Sequence, residues 1–256
     1  MNKILNIYKP IGKTPYQIIE ALRKKMPEYK DIKIGFAGRL DPLAHGVLLL
    51  MIGDATKNRD LYLELPKEYK FEILFGVSTD TYDALGFLQD NAVKNIPQDL
   101  RKQTQEFIKN KTGIQTQKYP PYSSKEVAGK PLFQWAREDK LSEIKVPTRK
   151  IEIYKLNLLG VKETPANLVK KLISKNISIV GGDFRQAETL HKWNKFFESD
   201  VPTTLMTARC SIECSSGTYV RSLVNELGLT IGTGAIALEI LRTKVGEHTL
   251  EESVNL

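Results

Sequence analysis

Asp41 stands where a carboxylate could do chemistry. It lies within Gly35-Phe36-Ala37-Gly38-Arg39-Leu40-Asp41-Pro42-Leu43-Ala44-His45-Gly46, and an apolar run from Val47 to Ile52 follows. Proline biases the residue before it away from helix, so Asp41 is expected on extended or turn backbone leading into a buried strand. The same pattern also fits a turn aspartate bonded to its own backbone. A second constellation, Cys214-Ser215-Ser216-Gly217-Thr218-Tyr219-Val220-Arg221, sits where a strand gives way to a helix. A third, from Gln117 to Arg137, interleaves basic residues with aromatics, which suits phosphate contact plus stacking. Hydrolysis by paired carboxylates would need a second acid in the same pocket, and no paired motif is visible. Two cysteines and three scattered histidines make neither a disulfide framework nor a credible metal constellation.

The elements that would carry these groups alternate irregularly, with high strand content. Ile4 to Tyr8 reads as a strand, and Thr14-Pro15 as the start of a helix whose apolar face holds Ile18, Ile19, Leu22 and Met26. Thr56 is expected to cap a further helix ending near Leu65, and Lys67 to Gly76 alternates as a half-buried strand. Residues 90–112 show a helical pattern around Leu100, Phe107 and Ile108. Strands are expected over Lys150–Leu159 and Leu205–Cys214, the latter placing Cys210 and Cys214 on one face. Residues 161–200 show only a helix near Ala166–Ser174 and a turn or small hairpin at Gly181-Gly182, with no chemistry. This irregular alternation makes the fold class α+β.

The chain has 256 residues, 41% hydrophobic and 27% charged, with a net charge of +8. Residues 1–40 hold nine Lys/Arg against three Asp/Glu, or +6, which suggests a polyanionic partner such as nucleic acid. No run reaches the length of a membrane helix, and the Met1–Asn6 start lacks the apolar core of a signal peptide, so the cytoplasm is the expected compartment.

The Asp41 stretch, followed by Gly53-Asp54-Ala55-Thr56-Lys57, resembles the signature of the TruB family of tRNA pseudouridine-55 synthases. Further segments resemble the same family in the same order. They are Lys9-Pro10-Ile11-Gly12-Lys13-Thr14, Lys67-Glu68-Tyr69, Thr79–Gly86, Pro121–Arg137, Cys214–Arg221 and Ile240–Gly246. The likeness covers roughly residues 4–160 and 205–250.

The resemblance implies an α+β fold with a mixed, largely antiparallel central sheet flanked by helices and RNA-binding loops, and a single catalytic domain over 1–256, with 112–140 as an RNA-gripping thumb and 161–204 as a variable segment. It implies isomerisation of uridine to pseudouridine in the T-arm of tRNA, without cofactor or metal. Asp41 would be the catalytic residue. Tyr69, Tyr219 and Ile240 would hold the base, Arg221 would pair with Asp41, and Lys9 would help build the floor. That pairing has a physical reason, since a desolvated aspartate needs a cation to stay ionised. The protein is expected to act as a monomer.

The chain departs from the family pattern in four places. Phe36 stands where the family has histidine, which keeps a stacking surface and loses hydrogen bonding. His45, at the family's threonine position, could take over part of that role but reads rather as a surface loop residue. The segment between Pro121 and Lys125 is one residue short, and Ile-Leu-Arg-Thr over 240–243 has one basic group fewer than the family's Leu-Arg-Arg-Thr. Bacterial members usually continue into a small C-terminal RNA-binding domain, and a chain ending at Leu256 is read as lacking it. A weakly catalytic RNA-binding or RNA-folding module on the same scaffold is the alternative function. Phe36 favours it, and the retention of Asp41 and Arg221 argues against it.

Overall fold

The structure is a computed structural model that describes residues 3–89 and 95–256. Strand β1 (Lys3–Lys9) turns into helix α1 (Pro15–Lys25). The Thr14 hydroxyl accepts from the Gln17 amide at 3.3 Å while the Gln17 side chain accepts from the Thr14 amide at 2.8 Å, and Pro15 fills the first helical position. β2 (Ile34–Ala37) and β3 (Ala44–Ile52) flank the Asp41 loop, and all of β3 is buried, as its apolar run requires. Thr56 does not cap a helix. It lies inside a 3₁₀ segment (Gly53–Asn58) and donates to the Gly53 carbonyl at 2.8 Å, and α2 (Arg59–Glu64) starts beyond it.

β4 (Lys67–Phe75), α3 (Leu100–Lys111) and β5 (Gly113–Lys118) follow. Within the helical pattern read over 90–112, residues 90–94 lie outside the described residues, as do Met1 and Asn2 of the amino-terminal reading. A two-residue hairpin, β6 (Glu126–Val127) and β7 (Lys130–Pro131), precedes α4 (Leu132–Arg137). β8 (Thr148–Pro165) is 18 residues long, well beyond the stretch its alternation marks, because β9 (Thr204–Cys214) pairs along it to Pro165. Between them α5 (Ala166–Ser178) and α6 (Gln186–Glu198) form a helical hairpin, of which α6 was not legible in the sequence. α7 (Val220–Ile231), β10 (Ala235–Val245) and β11 (His248–Thr249) complete the order.

Nine strands form one sheet in the order β1-β3-β10-β4-β9-β8-β5, with β2 added to β3 and β11 to β10. Every pairing is antiparallel except β3 with β10. One face carries Phe71, Ile73, Cys210 and Ile212 under α3 and α7, and the other carries Leu74, Ile236 and Leu238 under α5 and α6. Both cysteines fall on the first face, as the two-residue period of a strand demands.

A bulge in β10 matters for the site. Between Ala237 and Glu239 two residues of β10 advance against one of β4. This shifts the alternation by one, so Ile240 joins Ala235 and Ala237 on the first face. Arg242, two residues further on, follows it there. Among the described residues no helix is long and apolar enough to cross a membrane.

Candidate active site

Asp41 ends the loop that feeds β3, beside the short parallel pairing of Ala44 with Ile240. Three contacts fix this loop. The Gly12 amide donates to the Pro42 carbonyl at 2.8 Å, and the buried Arg242 guanidinium donates to the carbonyls of Gly38 at 3.0 Å and Val47 at 2.7 Å. Gly46 has a φ of +104°, and a Cβ there would stand 2.2 Å from the Arg242 carbonyl, so only glycine lets the strands approach this closely.

Arg221 enters from the first turn of α7. Its Nε donates to Asp41 Oδ2 at 2.8 Å, Nη1 to the Thr81 carbonyl at 2.7 Å and Nη2 to the Tyr122 carbonyl at 3.2 Å. A second carboxylate, Asp83, lies 3.8 Å from Arg221 Nε. Burial opposes the Arg221 charge, but the two carboxylates more than offset this and hold its pKa above the ordinary arginine value. Asp83 is pushed up to about 6 by burial, against the pull of Arg221 and the Thr81 hydroxyl, and Asp41 adds to the rise. The turn that delivers Asp83 is tight. Tyr82 takes a φ of 65°, and Asp83 Oδ1 accepts from the Thr81 hydroxyl at 2.6 Å and the Leu85 amide at 3.0 Å.

α7 is itself set by β5. The Gln117 side chain accepts from the Tyr219 amide at 2.8 Å and donates to the Tyr219 carbonyl at 3.1 Å. The Tyr219 ring meets Tyr119 edge-on with centroids 5.6 Å apart. Burial drives the Tyr219 hydroxyl up to about 12, with Asp41 adding to it, so this phenol stays protonated at neutral pH. Tyr69 lies opposite Arg242 in the β4–β10 register, and burial raises the pKa of its phenol against the pull of the Arg242 charge.

These groups line one cavity of about 920 Å³. Asp41, Tyr69, Tyr219, Arg221, Ile240 and Phe36 all belong to its wall, brought together from four separate stretches of chain. Lys9 does not. It is fully buried beneath the wall, its ammonium donating to the carbonyls of Pro10 at 3.0 Å and Lys13 at 2.6 Å, so it cannot touch a ligand in the cavity. Burial lowers its pKa to about 7, with Asp41 pulling the other way. Phe36 sits at the rim, edge-on to Tyr16 at 5.3 Å and with the Arg39 guanidinium 5.9 Å from its ring centre.

His45 is not a surface loop residue. It is buried in β3, bonded to the Tyr8 hydroxyl at 2.9 Å and to Glu239 at 3.0 Å. Strand alternation turns Ala44 to the cavity and His45 to the opposite face, so it cannot stand in for the histidine that Phe36 replaces.

Several wall residues escaped the sequence reading. Asp83 lay in a recognised turn without an assigned role, and Arg242 counted only as the remaining basic group of its motif. Lys67 donates to the Leu63 and Leu65 carbonyls, and burial lowers its pKa to about 8. Asp183, Phe184 and Arg185 come from the segment read as carrying no chemistry, and they too line the cavity. The hairpin behind them supports the Asp83 turn, the buried Trp193 indole donating to the Ala84 carbonyl at 2.9 Å and the Thr189 hydroxyl to the Leu85 carbonyl at 3.3 Å.

The fold has solved counterparts. The chain superposes over 99% of its length on a chain of a Cbf5-Nop10-Gar1 complex, with a TM-score of 0.59 and 19% identity, covering 52% of that chain. It also superposes on a chain of an H/ACA RNP bound to a substrate RNA containing 2'-deoxyuridine, with a TM-score of 0.57 and 18% identity, over 98% of this chain and 50% of that one. An α+β domain with one large, mostly antiparallel sheet is thus a known architecture.

The chain belongs to the TruB family of pseudouridylate synthases, whose N-terminal-domain model matches residues 23–178. It is 31% identical over 255 residues to tRNA pseudouridine synthase B of Thermotoga maritima, covering 99% of this chain and 66% of that protein. It is 31% identical over 256 residues to the protein of the same name from Aquifex aeolicus, covering 100% of this chain and 72% of that one. The chain therefore spans about two thirds of the length of these curated relatives.

Proposed function

We propose that the protein is a tRNA pseudouridine synthase that isomerises uridine 55 in the T-arm, with Asp41 as its catalytic residue and no cofactor. The chain acts as one catalytic domain, with residues 112–140 gripping the RNA. The observation that carries this reading is the 2.8 Å contact between Asp41 and the buried Arg221 at the floor of the cavity, in a chain of this family. Arg221 holds the carboxylate in place and sets a fixed positive charge against it.

In the reaction the N1–C1′ bond of uridine breaks, the uracil turns, and a C5–C1′ bond forms while a proton leaves C5 and one is gained at N1. Asp41 acts either as nucleophile at the sugar or as base on its C2′ proton. The target nucleotide must leave the loop stack to reach it, at a cost of a few kcal/mol. Tyr69 offers a ring face to the uracil and Ile240 an apolar wall beside it. Tyr219, held by Gln117, closes the site on the Asp41 side.

The test is to incubate the protein with an unmodified tRNA transcript and map pseudouridine at single-nucleotide resolution. Product at the T-arm uridine, lost in Asp41→Ala, is expected. Retained binding with no product on any tRNA would overturn the synthase reading in favour of the RNA-binding module.

A further inference from the structure

The family model's match ends at residue 178, yet the tip of the α5–α6 hairpin, beyond that point, reaches the cavity wall. Arg185 stands there, at the residue preceding α6, in the left-handed region at φ 61°, ψ 27°. Such a backbone is uncommon for a residue with a side chain and is held only where its surroundings over-determine it. The surroundings are specific. The Arg185 guanidinium carbon lies 4.0 Å from the Phe87 ring centre and 4.5 Å from that of Tyr122. Nη1 donates to Asp80 Oδ2 at 2.9 Å. The side chain is 20% exposed.

These contacts restrict what Arg185 can bind. Two aromatic rings already pack against the guanidinium, which crowds out a stacked base. One nitrogen is held by Asp80, and among the described residues the other guanidinium nitrogens form no hydrogen bond. What remains is a rigid, donor-only edge at the cavity rim. A donor-only fork is matched by an anion with paired oxygens, and in an RNA that anion is the backbone phosphate.

Arg137 and Lys192 stand beside Arg185 with Asp80 and Asp183, Arg137 bonding the Asp183 carbonyl at 2.7 Å and Lys192 lying 4.8 Å from the Phe87 ring centre and 3.7 Å from Glu188. Three cations thus face three carboxylates, and selectivity for an anion comes from the open guanidinium edge of Arg185. Tyr122 links it to the floor, since its carbonyl accepts from Arg221 while its ring packs on Arg185.

We infer that Arg185 is an RNA-phosphate-binding residue of the cavity rim, through which the α5–α6 hairpin sets the path of the substrate backbone into the site. This rests on the proposed tRNA activity and adds a contact from outside the family motifs.

The experiment measures binding of an unmodified tRNA transcript at several salt concentrations, together with steady-state kinetics. The proteins are wild type, Arg185→Gln, Arg185→Lys and a control, Lys171→Gln, on the exposed side of α5. Arg185→Gln should raise Kd and KM about five- to tenfold and leave kcat within about twofold. It should also lower the slope of log K against log salt by about 0.7 to 0.9, the value of one phosphate contact. Arg185→Lys keeps the charge and loses the fork, so it should keep the slope and recover part of the affinity. Lys171→Gln should change neither quantity.

An unchanged slope in Arg185→Gln would overturn the inference and leave Arg185 a structural link between Asp80 and the two rings, whatever happened to thermal stability. A fall in kcat at constant KM would overturn it too, by placing the effect on the floor. If wild type itself neither bound nor modified the transcript, the functional reading would fail first, and this inference with it.

Discussion

Arg221 and Arg137 are arginines of the same cavity in opposite circumstances. At the floor, the Arg221 side chain is 3% exposed, with donors directed at Asp41, Thr81 and Tyr122. At the rim, the Arg137 side chain is 35% exposed, and its ion-pair partner Asp183 is 83% exposed. Charges in dry surroundings interact strongly and cost little reorganisation when a reaction moves charge nearby. Exposed pairs are screened and individually weak. Under the proposed function, the floor suits chemistry and the rim suits holding and orienting a charged substrate. Changes at the floor should act on kcat or on folding, and changes at the rim on KM and salt dependence.

The sharpest way to break this division is Asp41→Asn, which leaves an acceptor for Arg221 Nε and removes the charge. We expect kcat to fall by about 10⁴-fold or more, equivalent to about 5.5 kcal/mol of transition-state stabilisation, with RNA binding and thermal midpoint nearly unchanged. Residual turnover within tenfold of wild type would move the chemistry to another residue.

Arg221→Met comes next. It strands two carboxylates around an apolar side chain, and breaking a buried pair in this way should lower stability by about 3–5 kcal/mol in urea unfolding as well as abolish turnover. Normal stability would mean that Asp41 and Asp83 are not held by this arginine.

The Asp83 carboxyl supplies a pH test. Its folded pKa of about 6 lies above the ordinary 3.8, so the folded state keeps this proton longer than the unfolded chain does. Its contribution to stability is full below pH 3.8 and is lost as pH rises through about 6. The size is on the order of 3 kcal/mol. Asp83→Asn should remove this slope from a series of unfolding curves between pH 4 and 7. In activity, kcat/KM of the wild type should decline below pH 6 as Asp83 loses its charge beside Arg221, and the variant should lose that inflection. A profile identical in both proteins would exclude Asp83 from the floor.

Phe36→His carries the smallest expected effect and sharpens the rim side. It restores a hydrogen-bonding group beside Tyr16 and Arg39, and one such bond should lower KM by about two- to fivefold with kcat constant. A change confined to kcat would place Phe36 with the floor.

Much of this was legible in the linear chain wherever a local rule carries the structure. Thr14, Pro15 and Gln17 specify a helix start because their bonds close within four residues. The Val47–Ile52 run specifies a buried strand because both of its faces are apolar. The pairing of Asp41 with Arg221, 180 residues apart, followed from no local rule but from the family resemblance, and the fold brings the two to 2.8 Å.

Other features depend on partners that no local pattern names. Lys9 reads like any turn lysine until tertiary packing seals it against two carbonyls. His45 differs from its neighbour Ala44 only in which face of β3 it occupies, and the pairing of that strand decides the face. A single extra residue in β10, invisible in its composition, turns Ile240 onto the face of the site. Arg185 sits in a polar stretch without motif, and it joins the site because a helical hairpin packs its apolar side on Leu74, Ile236 and the Asp83 turn. The sequence by itself determined the elements and the residue types able to do chemistry, because backbone propensity and periodicity act within a few residues. Which of those side chains face one another, and which lie buried beneath them, was decided only by strand register and sheet order, because those are set by contacts between distant parts of the chain.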